Sequence, residues 1–420
     1  MKKRLLMRGA CAFAALLICT SCGDTYRPVA NPIIPIQPNP GFLHVALVLS
    51  INGDQHPGAS TTIDVSGDTA VSQAEVGFMP VHAAVVLNGT RVYTANSLDD
   101  TVSTFAPSTP APVTTISLPA GSAPDFVATT ETAFVYVANS GNATVSAIAL
   151  GTNVVAYTIP VGINPVAMAE LPNQQKLYVA SEGANSIPGS VTSINSIDWS
   201  VNTTAPLASY PWVSPVWAAA RSDSGRVYIL DSGAGMVAVI DPSTDSVVNS
   251  VSVGVGANFM LYDTTHNRLY VTNPATGNVI FMDASTDSLA PLVVRVANAQ
   301  SVAALPDGSR VYVATATVQG SNVNSAVTVL NAGNGSLKKI VPLTAVAKIC
   351  SQTRFELVAA AAADSSRVYV GNCDAGNTSI LRTSDDTLLL QLPAPASALP
   401  PPQPGGNPPP QNPVFVLAGP

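Results

Sequence analysis

A tyrosine-centred tetrapeptide returns seven times along the chain: Tyr93-Thr94-Ala95-Asn96, Tyr136-Val137-Ala138-Asn139, Tyr178-Val179-Ala180-Ser181, Tyr228-Ile229-Leu230-Asp231, Tyr270-Val271-Thr272-Asn273, Tyr312-Val313-Ala314-Thr315 and Tyr369-Val370-Gly371-Asn372. Successive tyrosines are 43, 42, 50, 42, 42 and 57 residues apart. A period of that size marks one supersecondary unit used repeatedly, and it holds four short strands joined by tight turns. One such sheet cannot bury both of its faces, so the copies must stack on each other. In the unit 258–298, runs of Val, Ile, Tyr and Thr predict strands at 258–262, 268–272, 279–283 and 292–297, with bends at His266-Asn267, Pro274 and Gly277.

The unit resembles the YVTN β-propeller repeat family, whose motif stands literally at Tyr270 to Asn273 and in close variants at the other six sites. The likeness runs over about residues 42 to 395. It implies an all-β fold, a β-propeller of four-stranded antiparallel blades whose innermost strands line a central channel. No single activity is implied, because unrelated functions are grafted onto this scaffold. The Asn closing most of the motifs is expected to be structural, since its side chain bonds local backbone at a turn and tolerates a left-handed conformation.

Both ends of the repeat region are incomplete. Leu43 to Val76 reads as the last three strands of a unit that lacks its first. Asn412-Pro413-Val414-Phe415-Val416 matches first-strand segments such as Asn164-Pro165-Val166-Ala167-Met168 and Ser214-Pro215-Val216-Trp217-Ala218. The C-terminal strand is therefore expected to cross the proline-rich spacer 396–411, complete the first unit and close the ring. Closure of this kind removes two sheet edges that would otherwise pair with other chains. The count is then eight blades, with seven as the alternative should one irregular unit lie outside the ring.

Residues 1–21 read as an export signal: Lys2, Lys3, Arg4 and Arg8 precede an apolar run from Ala10 to Cys19 that is too short to span a bilayer. The segment Ile18-Cys19-Thr20-Ser21-Cys22-Gly23 resembles a lipobox, which implies lipid attachment at Cys22; Cys19 stands where Leu is expected. An ordinary secretory signal cut nearby is the alternative. Residues 22–40 are proline-rich and read as an extended tether, leaving 41–420 as a single propeller domain. Gly23 is not the acidic residue that retains lipoproteins at the inner membrane, so the expected address is the outer membrane. Removing the signal takes four of the 18 basic residues and none of the 25 acidic ones, which leaves a net charge of −11. That balance excludes nucleic acid as a partner. With 47% hydrophobic but only 10% charged residues, the chain is neither a disordered acidic polymer nor a coiled coil. Beyond residue 22 no apolar run is long enough for a membrane helix, so the expected membrane contact is through the lipid alone.

Once the signal and the lipidated residue are set aside, Cys350 and Cys373 remain. One precedes a first strand and the other follows the adjacent second strand, so a disulfide between them is expected in an exported protein. The histidines His44, His56, His82 and His266 show no metal-ligand spacing, and no nucleophile or phosphate-loop motif is present; no catalytic residue, cofactor or metal is assigned. Three acidic pairs recur between third and fourth strands: Asp64 with Asp68, Asp241 with Asp245, Asp283 with Asp287. They are read as hairpin turns in preference to weak Ca²⁺ sites, because Ca²⁺ takes six or more oxygens. Trp199, Tyr210, Trp212 and Trp217 fall in the longest regular insertion and form a candidate contact patch, with core packing as the commoner fate of such residues. Gly320 to Ser325 is read as a long loop.

Two functional classes follow. The favoured one is a non-enzymatic cell-envelope platform that binds or scaffolds a protein or polysaccharide. The alternative is a periplasmic enzyme of lactonase-like propeller type, which needs acids, bases or a metal at the channel mouth. The strand-end positions that would supply them are mainly Asn, Ser and Ala.

Overall fold

Each 42-residue unit resolves into a four-stranded antiparallel meander, and eight such sheets follow one another in the computed structural model, which describes residues 44–86, 89–107, 113–129, 133–207, 210–350, 353–394 and 411–418. Seven blades are sequential, at 80–117, 124–160, 165–203, 215–252, 259–295, 299–347 and 357–393. The first blade is composite. Its strands Val45–Ile51, Pro57–Asp64 and Thr69–Phe78 come from the N-terminal side, and its innermost strand is Asn412–Ala418. That strand lies antiparallel to Val45–Ile51, with Leu47 opposite Leu417 and Val48 opposite Val416. Eight blades, closed by the C-terminal strand, form the ring; the seven-blade alternative does not hold. The lipid attachment site proposed at Cys22 lies outside the described residues.

In the sixth blade the strands are Phe259–Asp263, Arg268–Asn273, Asn278–Asp283 and Pro291–Arg295, within two residues of the pattern read from the sequence. The segment 320–325 is not a loop. Gly320 and Ser321 turn a hairpin formed by Arg310–Gln319 and Asn322–Asn331, each ten residues long, and 322–325 belong to its second strand. Gly320, at φ +63, supplies the left-handed residue at its tip.

All seven motif tyrosines are fully buried, and they pack into apolar clusters that form between blades. The basic residue two positions earlier, joined in two blades by the tyrosine hydroxyl, explains the recurring acids. Lys176 and Tyr178 of the fourth blade both bond Asp245 of the fifth, at 2.8 Å for the lysine. Arg226 of the fifth grips Asp287 of the sixth at 2.8 and 2.7 Å. Arg310 and Tyr312 of the seventh bond Asp386 of the eighth. Arg367 of the eighth holds Asp68 of the first at 2.9 Å across the ring closure. The second acid of each pair is thus a latch to the preceding blade. The first acids stay local: Asp64, Asp241 and Asp283 accept the backbone N–H two residues on, at 3.0, 2.9 and 2.9 Å. The turn reading was correct for these, and it missed the latch because the partners stand about one and a half repeats apart.

The motif Asn is structural, though not through a left-handed backbone. Asn273 donates to the carbonyls of Val253 and Gly254 at 2.9 and 2.8 Å and accepts from Thr276 N–H at 3.0 Å. The positive φ falls four residues later, at Gly277.

Candidate functional site

The innermost strands of neighbouring blades touch around the axis, and their register brings one residue from each into a common layer. His82, Phe126, Ala167, Trp217, Phe259, Ser301 and Val358 each pair with the third residue of their blade's tetrapeptide, and Phe415 pairs with Leu49 in the composite blade. Five of these eight are aromatic, so the layer narrows the channel. His82 stacks on Phe126 at 3.9 Å between ring centroids and leans on Phe415 at 4.4 Å. Trp217 meets Phe126 and Phe259 at 6.0 and 4.8 Å.

The Cys350–Cys373 disulfide, with Cα atoms 6.1 Å apart, ties the segment before the eighth blade to the end of that blade's second strand. Asp374 caps the same segment by accepting from the N–H groups of Ile349 and Cys350, each at 2.7 Å. Four residues beyond Cys350, Arg354 enters the channel. Its guanidinium donates to the carbonyl of Val166 at 3.2 Å and to that of Val216, on the innermost strands of the fourth and fifth blades. It also lies over the rings of Trp217 and Phe355, 5.1 and 5.6 Å from their centroids. The side chain remains open to the water of the channel.

Arg354 separates two cavities of about 400 Å³ each. One is polar, with Asp125, Glu182, Asn164, Asn258, Ser140 and Ser232 on its wall. Glu182 is fixed by Asn164 and Ser214, both donating at 3.2 Å. Enclosure by protein pushes the Asp125 carboxyl above the usual carboxylate range; Arg354 pulls it back and Glu182 adds to the rise. The other cavity is apolar and contains His82, whose Nδ1 accepts from Val127 N–H at 3.3 Å. Burial first, and the Arg354 charge second, hold that imidazole down to about 3, so it is neutral near pH 7 with its proton on Nε2.

The four aromatic residues of the candidate contact patch do not share one surface. Tyr210 and Trp212 are buried, and Trp212 Nε1 donates to Thr204 O at 3.0 Å. Trp199 occupies the turn position that Asp245 holds in the next blade, with φ +62, and packs on Tyr157 at 4.1 Å and Phe134 at 5.1 Å. Phe134 stands where the other six motif-bearing blades carry Lys or Arg, so this pair is an aromatic version of the latch. Trp217 faces the axis. Consecutive residues of an insertion scatter in this way because a propeller sends its first strand to the axis and its last turn to the rim.

Arg354, Asp125 and Glu182 were not singled out from the sequence. Asp125 carried a signal: it follows a first-strand proline, and the other four residues that do so are Val81, Val166, Val216 and Val414. Among the described residues no group of three or more His, Cys, Asp or Glu could hold a metal ion.

No family model matches the chain, and no curated protein matches its sequence. Solved structures do match its fold. Hydrazine synthase from Kuenenia stuttgartiensis aligns with a TM-score of 0.54 at 18% identity, covering 73% of this chain and 96% of that one. A candidate 6-phosphogluconolactonase from Bacteroides fragilis gives 0.52 at 14% identity over 86% and 98%. Virginiamycin B lyase from Staphylococcus aureus gives 0.50 at 12% over 70% and 92%. At such identities the likeness is one of architecture, the β-propeller.

Proposed function

We propose that the protein is an exported, lipid-anchored propeller of the YVTN type that serves as a non-enzymatic binding platform in the cell envelope, taking a segment of a protein or polysaccharide into the polar axial cavity. The observation that carries this reading is the convergence of Asp125, Glu182, Asn164, Asn258, Ser140 and Ser232 on one concavity beside Arg354. Amides, hydroxyls and carboxylates supply donors and acceptors in several directions, which suits a hydroxyl- or amide-rich ligand. The anchor and the outer-membrane address rest on the sequence around Cys22 and Gly23. The test is affinity capture from native envelope extract, comparing the wild type with an Asn164→Ala, Asn258→Ala double variant. A stoichiometric protein or polysaccharide retained at moderate salt, and reduced at least about tenfold by the double variant, is expected; tenfold corresponds to roughly one strong hydrogen bond. Retention of nothing by the wild type overturns the reading.

A lactonase-type hydrolase is the second reading, and Asp125 favours it. A carboxyl held above its ordinary range beside a cation is equipped to give and take a proton. Turnover of a lactone panel that Asp125→Asn abolishes would place catalysis ahead of binding.

A further inference from the structure

The polar cavity does not use the space on the other side of Arg354. There the wall includes Met79, His82, Phe126, Trp217, Phe355 and Phe415, together with Arg354 and Asp125, which also line the polar cavity. We infer that this second cavity binds a small planar aromatic carboxylate, its ring lying among the aromatic side chains and its carboxylate on the Arg354 guanidinium.

Three features select that chemistry. The walls are aromatic: Trp217, Phe355, Phe126 and His82, which stacks on Phe126, line one space, and aromatic side chains favour a planar ring as guest. The volume of about 400 Å³ admits a one- or two-ring molecule. The charge decides the polar end. Each terminal nitrogen of Arg354 gives one hydrogen to a backbone carbonyl, of Val166 or Val216, and carries a second by its own stoichiometry. A guest without an acceptor would leave the remaining guanidinium hydrogens without a partner, a guest with a positive charge would meet the cation directly, and a carboxylate accepts from it. His82 is neutral and adds no competing cation. Asp125, whose carboxyl enclosure pushes up and Arg354 pulls back, lies on the same wall.

The probes are naphthoate and its uncharged analogue naphthylmethanol, titrated into the exported protein with calorimetry and tryptophan fluorescence as readouts. Naphthoate is expected to bind saturably, to quench fluorescence, and to bind at least about tenfold more tightly than the alcohol, the step set by one charge-assisted contact. Trp217→Phe is expected to keep binding within a few-fold while removing most of the quench, which separates this site from Trp199 and Trp212. Arg354→Lys is expected to weaken naphthoate and leave naphthylmethanol unchanged. The wild-type comparison of the two probes needs no variant, so a misfolded Arg354→Lys protein does not spare the proposal. Equal affinity for acid and alcohol, absence of binding, or a quench that survives Trp217→Phe each overturns it. Capture of an envelope protein or polysaccharide that saturating naphthoate does not displace leaves the platform reading standing independently.

Discussion

At the scale of single residues, the channel layer shows how burial turns a titratable side chain into a wall. His82 lies between Phe126 and Phe415, with Arg354 the nearest cation and Asp125 across the same cavity. Its folded-state pKa of about 3 lies below the 6.5 of a free imidazole. Between these values the unfolded chain binds a proton that the native protein does not, so stability rises with pH through the window and falls on acidification from pH 6.5 towards 3. One fully excluded proton gives a slope of about 1.4 kcal/mol per pH unit. His82 is half-buried and reached by cavity water, so its share is smaller. Urea denaturation of the wild type and His82→Phe at pH 4 and pH 7 tests this. The variant is expected to lose less stability between the two pH values, whatever its offset from losing the acceptor for Val127 N–H; identical losses would assign the acid sensitivity elsewhere.

At the scale of elements, the blades are held to each other by one device used with different chemistry. A base on the second strand and an acid in the next blade's last turn make the usual latch, as Lys176 with Asp245 does. Burial alone would raise the Asp245 carboxyl, but hydrogen bonds from Lys176, Tyr178 and Asn202 outweigh it and hold the group below its ordinary value. Between the third and fourth blades, Phe134 and Trp199 occupy the two latch positions and meet edge to face at 5.1 Å. The chemistry is therefore exchangeable as a pair. Phe134→Arg alone is expected to place a cation against Trp199 and Tyr157, and Trp199→Asp alone to leave a carboxylate beside Phe134, each costing about 1–3 kcal/mol through lost aromatic packing. The double variant is expected to recover about 1 kcal/mol or more relative to the sum, and Asp suits the left-handed φ of +62 better than Trp does. Additive losses in a double-mutant cycle would show that the two positions do not form a unit.

At the scale of the whole molecule, what was legible and what was not follows the range of the physics. The 42-residue period specified the blades because four strands with alternating apolar residues are a local property, and the stray Asn412 to Val416 segment revealed the closure because it copies a first strand. Arg354, Asp125 and Glu182 come from the eighth, third and fourth blades, and they converge only when the ring is complete; no spacing in the sequence encodes that meeting. Ring closure therefore governs the candidate site as well as stability. The strand Asn412–Ala418 covers the edge of Val45–Ile51, and Asn412 Nδ2 donates to Cys373 O at 2.6 Å, next to the disulfide that anchors the Arg354 segment. Gly371 makes room for it: a Cβ there would stand 2.8 Å from Val416 Cγ2 and 3.3 Å from Pro413 Cβ. Truncation after residue 394 removes this strand, leaves an apolar edge unpaired and parts the first and eighth blades, where the Arg367–Asp68 ion pair, largely buried in the closed ring, would be opened to water and weakened. The truncated protein is expected to melt at lower temperature with reduced cooperativity and to aggregate on warming. A synthetic peptide of residues 409–420 added in excess is expected to restore the melt by strand addition. Light scattering and circular dichroism during heating check both, and a truncated chain that stays monomeric with an unchanged melting temperature would show that the latches alone hold the ring.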